Sequence, residues 1–72
     1  MLENVRFCVC IYLDGNPDRI ESDGNECAAA LQELTGMSSE DATSRLIDAV
    51  ILGSTSQTTP YELYIEHLGW TD

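Results

Sequence analysis

The amino-terminal part of the chain alternates hydrophobic and polar residues. Every second position from Val5 to Leu13 is hydrophobic. Because successive side chains of a strand point to opposite faces, this pattern predicts a strand over residues 5–13. One of its faces is expected to pack in the core and the other to be more exposed to solvent. Residues 14–18 are rich in turn-forming types, and residues 19–22 are predicted to return as a short second strand.

Two segments then place hydrophobic residues at helical spacing between a capping residue and a glycine. The first lies between Asp23 and Gly36, and the second lies between Ser38 and Gly53. Both openings resemble capping boxes, and both glycines are typical helix ends. The predicted helices cover residues 24–35 and 39–52.

The carboxyl end of the second helix is hydrophobic on nearly every side. At about 100° per residue, Leu52 falls on the polar side of the helix and Ile51 lies at its margin. A thin core does not surround a helix on all sides. We therefore expect at least one of these two side chains to contact a second protein molecule or the C-terminal tail, where Trp70 is the candidate cover.

The remaining residues predict a loop, a strand and a tail. Residues 54–59 are polar and rich in Ser and Thr, which is typical of a loop. Alternation resumes over residues 61–66 and predicts the last strand. Residues 68–70 are predicted to form a short tail that folds over the edge of the core.

Together these elements predict a single α+β domain over residues 1–72. The expected order is β-β-α-α-β, with a small antiparallel-biased sheet of two or three strands. Both helices are expected on one face of the sheet, because sheet and helices must bury their hydrophobic sides against each other.

Charge narrows the choice of partners. Thirteen Asp and Glu residues stand against three arginines and no lysine, which gives the 72 residues a formal net charge of −10. Direct binding of nucleic acid is disfavoured, since Lys and Arg supply affinity for phosphates. The charge suits a protein with a basic surface. The alternative is that acidity serves only solubility or adaptation to a salty cytoplasm.

The expected location is the cytoplasm, or the host cytoplasm if a phage encodes the chain. The first residues lack the basic start of a signal peptide, and the hydrophobic run is too short to cross a membrane. Three cysteines are an odd number, for which reduced thiols are the simplest interpretation.

An acidic cluster lies between positions 14 and 26. It is either a surface that faces a partner or a set of turn residues and helix-capping acids. The open side of the predicted sheet is a second candidate, because tyrosines among charges are typical of recognition surfaces. The alternative is that this side of the sheet is an ordinary solvent-exposed surface with ion pairs between Arg and Glu of neighbouring strands. The candidate partner-binding residues are Asp14, Asp18, Glu21, Asp23 and Glu26 of the cluster, and Tyr12, Glu62, Tyr64 and Glu66 of the sheet.

Metal binding and catalysis are not expected. Residues 14–18 resemble the opening of a calcium loop, but Arg19 replaces the glycine and Asn25 replaces the bidentate Glu that such a loop needs. Zinc is disfavoured because the three cysteines and His67 include no paired C-x-x-C knuckle. No nucleophile, base and oxyanion donors can be assembled, so we predict neither enzyme activity nor a cofactor.

The segment from Leu34 to Ala42, leading into Leu46 and Ile47, is similar to the helix-turn-helix part of ribbon-helix-helix repressors. The resemblance covers about residues 28–51 and implies a helical hairpin. Those proteins pair an amino-terminal strand across a dimer and read DNA with it. This chain departs from them in its longer strand-to-helix connection and in having only Arg6 as a basic residue of that strand.

The leading functional hypothesis is a small inhibitor or regulator that occupies a cationic surface of a target protein, such as a nucleic-acid-binding site. In size and charge the chain resembles phage anti-CRISPR and DNA-mimic proteins as a class, although no motif carries this likeness. The alternative is a homodimeric structural or adaptor module whose acidity keeps it soluble.

Overall fold

The computed structural model describes residues 2–71, which form four strands and two helices in the order β-β-α-α-β-β. The α+β class, the antiparallel sheet and the two helices are confirmed. The elements are β1 (Val5–Leu13), β2 (Asn16–Asp23), α1 (Gly24–Thr35), α2 (Ser39–Leu52), β3 (Ser54–Gln57) and β4 (Glu62–Trp70).

The sheet has the strand order β2-β1-β4-β3, and every pair of neighbouring strands is antiparallel. Helix α1 packs on β1 and β2, whereas α2 packs on β4 and β3. Each helix therefore covers two strands, and together the helices cover one face of the sheet. Within residues 2–71, no helix covers the other face.

The hydrophobic core lies between the sheet and the helices. Strand β1 supplies its helix-facing residues, β4 supplies Leu63 and Ile65, and the helices supply mainly small and leucine side chains. Among residues 2–71, none of the buried residues is polar or charged. The largest of them are Phe7, Leu31, Leu46, Ile65, Val5, Val9 and Cys27.

Both helices have the predicted bounds, and their caps explain why. The Asp23 carboxylate accepts a hydrogen bond from the Glu26 backbone N–H at 2.9 Å. The Ser38 hydroxyl accepts one from the Asp41 N–H at 3.1 Å. These bonds satisfy donors that the first turn of a helix cannot pair internally.

Strand β2 is longer than the four residues predicted from the sequence. A two-residue loop, Asp14 and Gly15, joins Leu13 to its partner Asn16, and both loop residues have positive φ (53° and 80°). This is the geometry that the tightest hairpins require. Pairing therefore begins at Asn16, inside the stretch that its composition identified as a turn.

Two sequence-based expectations are wrong, and the sheet departs from ribbon-helix-helix proteins in a further way. Residues 54–57 form β3 rather than a loop, because they pair with β4 after Gly53 ends α2. Trp70 belongs to β4 rather than to a separate tail. Strand β1 lies inside the sheet, between β2 and β4, so it is not free to form the intermolecular ribbon of a ribbon-helix-helix dimer.

Cys27 is the buried thiol of α1, and its ionisation is coupled to folding. Its Sγ lies 3.6 Å from the Ser22 carbonyl oxygen and the residue has no exposed surface. Burial raises the pKa of this thiol from 9.0 to about 11. The folded state therefore keeps its proton at pH values where the unfolded state loses it, so this contribution to stability is present below pH 9 and is lost as pH rises toward 11.

We expect the free energy of unfolding to fall by about 2 kcal/mol between about pH 8 and about pH 10.5 from this group. The measurement is denaturant unfolding at both pH values. Cys27→Ala is the control: it lowers stability at pH 8 because it leaves a small cavity, but it removes this part of the pH dependence. An equal alkaline loss in the variant and the wild type would contradict the assignment.

Candidate functional site: the open face of the sheet

The face of the sheet opposite the helices is the principal candidate site, and we call it the open face. Residues directly paired across antiparallel strands share a face, so the register defines its members. It consists of Arg6, Cys8, Cys10 and Tyr12 of β1, Pro17, Arg19 and Glu21 of β2, Glu62, Tyr64 and Glu66 of β4, and Ser54 and Ser56 of β3.

A shallow depression of about 580 Å³ lies on the open face near the β1–β2 hairpin. Tyr12 and Tyr64 line it from neighbouring strands, with 49% and 38% of their surfaces exposed. Pro17 pairs with Tyr12 and forms another part of the wall. The tyrosines predicted as a recognition surface are therefore brought together, and the depression between them is mostly hydrophobic.

Some charged residues of the open face form an ion pair with each other, and others have no oppositely charged neighbour across the sheet. Arg19 and Glu21 form an ion pair of 3.2 Å along β2, rather than across strands as the alternative hypothesis had it. Glu62 has Tyr12 opposite, and Glu66 has Cys8 on one side and Ser54 on the other. Neither β4 carboxylate faces a cation across the sheet, so both are available to a partner.

The two cysteines of β1 differ in their surroundings. Cys8 is buried although it lies on the open face, whereas Cys10 is partly exposed and lines the depression. Burial, followed by the neighbouring Cys10 thiol, raises the pKa of the Cys8 thiol. Cys8 is therefore a protonated packing residue at neutral pH.

Sequence reasoning missed Pro17, Arg19 and three residues of the predicted loop, Ser56, Gln57 and Thr58, all of which line the depression. The first two were assigned to the turn or to a short strand of unknown register. The Asp-Gly pair was the available signal, since a two-residue loop fixes which residues of β2 oppose those of β1. Ser56 was assigned to a loop.

The acidic cluster does not form one patch. Asp14 is at the hairpin tip, and Glu21 lies on the open face. Asp18 pairs with Ile11 on the helix side of β2, but it also lines the rim of the depression. Asp23 caps α1, and Glu26 is in its first turn. The extended strand spreads the first four over about 25 Å. Asp23 does cap the helix, and partner contact at all five positions stays a prediction.

No side chain among residues 2–71 covers Ile51 or Leu52. They are 73% and 72% exposed, and Trp70 is itself 67% exposed, so the expected cover by the indole is wrong. Trp70 instead contacts the ring of His67, with centroids 5.7 Å apart. Contact of Ile51 or Leu52 with a second molecule stays a prediction.

His67 lies within β4, where it pairs with Phe7 on the helix side of the sheet. Its ring is partly buried between Phe7 and Trp70, and its Nε2 atom is buried with no hydrogen-bond partner in residues 2–71. Within the same range, no three or more His, Cys, Asp and Glu side chains are grouped so as to hold a metal ion. His67 is therefore best described as a packing residue of β4.

Neither α1 nor α2 has the length and hydrophobicity needed to cross a membrane. No protein-family model matches the chain, and no curated protein or solved structure matches it. The geometry of the open face therefore carries the functional argument.

Proposed function

We propose that this chain is a binding protein that docks a basic surface of another protein on its open face. The observation that carries the proposal is the depression in which Tyr12 and Tyr64 lie next to Glu62. Exposed tyrosines supply contact area with little loss of conformational freedom, and they are enriched at the centres of interfaces.

A lysine or arginine side chain of the partner fits this site for two reasons. Its stem packs on the tyrosine rings, whose faces attract cations. Its charged group reaches Glu62, which has no cation opposite it in the sheet. The net charge of −10 accelerates the encounter with a basic partner over longer distances.

Nucleic-acid-binding surfaces are rich in Lys and Arg, so they belong to the class of surface that this site fits. A chain that occupies such a surface acts as an inhibitor by competing with the nucleic acid. The proposal is binding without a catalytic step.

The test begins with capture of the partner from the source cytoplasm at about 0.05 M salt, followed by titration of the purified pair. We expect the affinity to fall as salt rises to about 0.5 M. Glu62→Lys combined with Glu66→Lys is expected to weaken binding by tenfold or more, about 1.4 kcal/mol or more. Glu33→Lys combined with Glu40→Lys makes the same charge change on the exposed helices.

The control pair is expected to weaken binding much less. Equal losses in the two variants would mean that only the overall charge matters, and an affinity that rises with salt would reject the electrostatic basis. Both variants alter exposed positions, so circular dichroism is expected to show an unchanged fold.

A further inference from the structure

The two edges of the sheet are differently protected against pairing with another strand. The free edge of β2 carries Pro17, Arg19 and Glu21. The Leu13–Asn16 pair closes a two-residue hairpin and is therefore hydrogen-bonded. Because hydrogen-bonded and non-hydrogen-bonded pairs alternate along antiparallel strands, the backbone groups of Pro17, Arg19 and Glu21 point away from β1. Proline and charged residues at a free edge oppose further pairing.

The free edge of β3 has no such protection. The His67 N–H donates to the Gly53 carbonyl oxygen at 2.9 Å. This bond fixes which residues of β3 form hydrogen-bonded pairs with β4, because such pairs alternate along the two strands. Thr55 and Gln57 therefore bond to β4, whereas the backbone groups of Ser54 and Ser56 point out of the sheet. This edge is uncharged and contains no proline.

One side of helix α2 lies next to the free edge of β3. Asp41, Arg45, Asp48 and Leu52 share one side of the helix, and we call this side the α2 flank. Arg45 donates to the Gln57 side-chain oxygen at 2.6 Å, and a groove between Asp48 and β3 runs beside it. The α2 flank therefore faces the β3 edge, and Leu52 is its exposed hydrophobic residue.

We infer that β3 pairs antiparallel with β3 of a second copy of this chain, forming a twofold dimer with one continuous eight-stranded sheet. Strands in a sheet are about 4.8 Å apart, and α2 covers both β3 and β4. The two α2 helices then lie about 10 Å apart, at the upper end of the usual distance between packed helices. Both layers of the domain continue across the dyad without a gap.

The charges on the α2 flank fit this arrangement. Gln57 is beside Arg45, and Ser54 follows Leu52 closely along the chain, so β3 and α2 run in opposite directions. A dyad at Ser56 brings Arg45 of each copy within about one helical turn of Asp48 of the other. Leu52 of each copy then packs against the amino-terminal end of α2 of the other copy.

Ile51 provides a matched control for Leu52. The two residues are equally exposed and adjacent in sequence, but Ile51 points away from the sheet rather than toward the α2 flank. Leu52→Glu places a carboxylate beside Asp41 of the second copy and is expected to raise the dimer dissociation constant by tenfold or more. Ile51→Glu adds the same charge and is expected to leave dimerisation nearly unchanged.

Proline substitution tests the strand pairing itself. Ser56→Pro removes an N–H that points out of the sheet, so it is expected to abolish dimerisation and keep the monomer fold. Glu21→Pro makes the equivalent change at the β2 edge and is expected to keep the dimer. If circular dichroism shows that Ser56→Pro is unfolded, the comparison of Leu52→Glu with Ile51→Glu decides.

The experiment is sedimentation velocity over a range of concentrations at low and high salt, together with hydrogen exchange of the Ser54 and Ser56 amides. Two copies of a chain with net charge −10 repel each other, so the dimer is expected to tighten as salt rises. Binding of a basic partner weakens under the same change, which separates this inference from the proposed function. The two amides are expected to exchange more slowly at high concentration.

Three results would overturn the inference. One is a wild type that stays monomeric at millimolar concentration in high salt. Another is dissociation by Ile51→Glu but not by Leu52→Glu. The third is exchange of the Ser54 and Ser56 amides that does not depend on protein concentration.

Discussion

Gly24→Ala is expected to destabilise the domain by about 3 kcal/mol, although alanine normally favours a helix over glycine. Gly24 is the first residue of α1, and its N–H donates to the Leu2 carbonyl oxygen at 3.0 Å. A Cβ there would overlap the Leu2 Cβ and would lie 2.8 Å from the Leu2 carbonyl oxygen, with the Phe7 ring at 3.2 Å. Two of these atoms belong to backbone or to a Cβ, so they cannot move without displacing the chain.

The measurement is thermal unfolding followed by circular dichroism. A loss of about 3 kcal/mol corresponds to a fall in Tm of roughly 12–24 °C for a domain of this size. Asn25→Ala is the control, because Asn25 is the next residue of α1 and is exposed. A Gly24→Ala variant as stable as the Asn25→Ala variant would show that the amino-terminal residues pack elsewhere.

The hydrophobic pattern predicted the elements that bury the most side chains. The bounds of α1 and α2 follow from their capping residues, Asp23 and Ser38, and from the glycines that end them. The bounds of β1 follow from its strict alternation. In these segments local preference and tertiary packing favour the same structure, which is why sequence alone is sufficient.

The pattern failed for strands that have almost no buried face. The four residues of β3 are all polar, and they form a strand because Gly53 turns the chain back along β4. Strand β2 is exposed along most of its length for the same reason. Edge strands of this kind are specified by the partner strand and the turn rather than by their own hydrophobicity.

The candidate site was predicted in part. Alternation placed Tyr12 and Tyr64 opposite the hydrophobic face of their strands. Only the register shows that they share one depression with Pro17. The acidic cluster illustrates the opposite case. Its residues are close in sequence, yet an extended strand separates them, since each residue advances the chain by about 3.3 Å.

Replacing Tyr12 and Tyr64 together by alanine is expected to give the largest loss of partner binding of any change on the open face. Truncation of a central aromatic residue in an interface commonly costs about 2 kcal/mol or more, so the pair is expected to lower affinity by 100-fold or more. The loss arises because the depression then offers neither ring faces for a cation nor hydrophobic contact for its stem. Stability is expected to change little, since both side chains are substantially exposed.

The matched variant replaces both tyrosines by phenylalanine and is measured against the same captured partner by isothermal titration calorimetry. Phenylalanine keeps the rings but removes the hydroxyl groups, so retention of most of the affinity would assign the binding energy to the ring faces and their packing. A loss as large as that of the alanine pair would assign it to hydrogen bonds from the hydroxyls instead. Unchanged affinity in the alanine pair would reject the depression as the binding site, because no partner centred on it could lose both rings without cost.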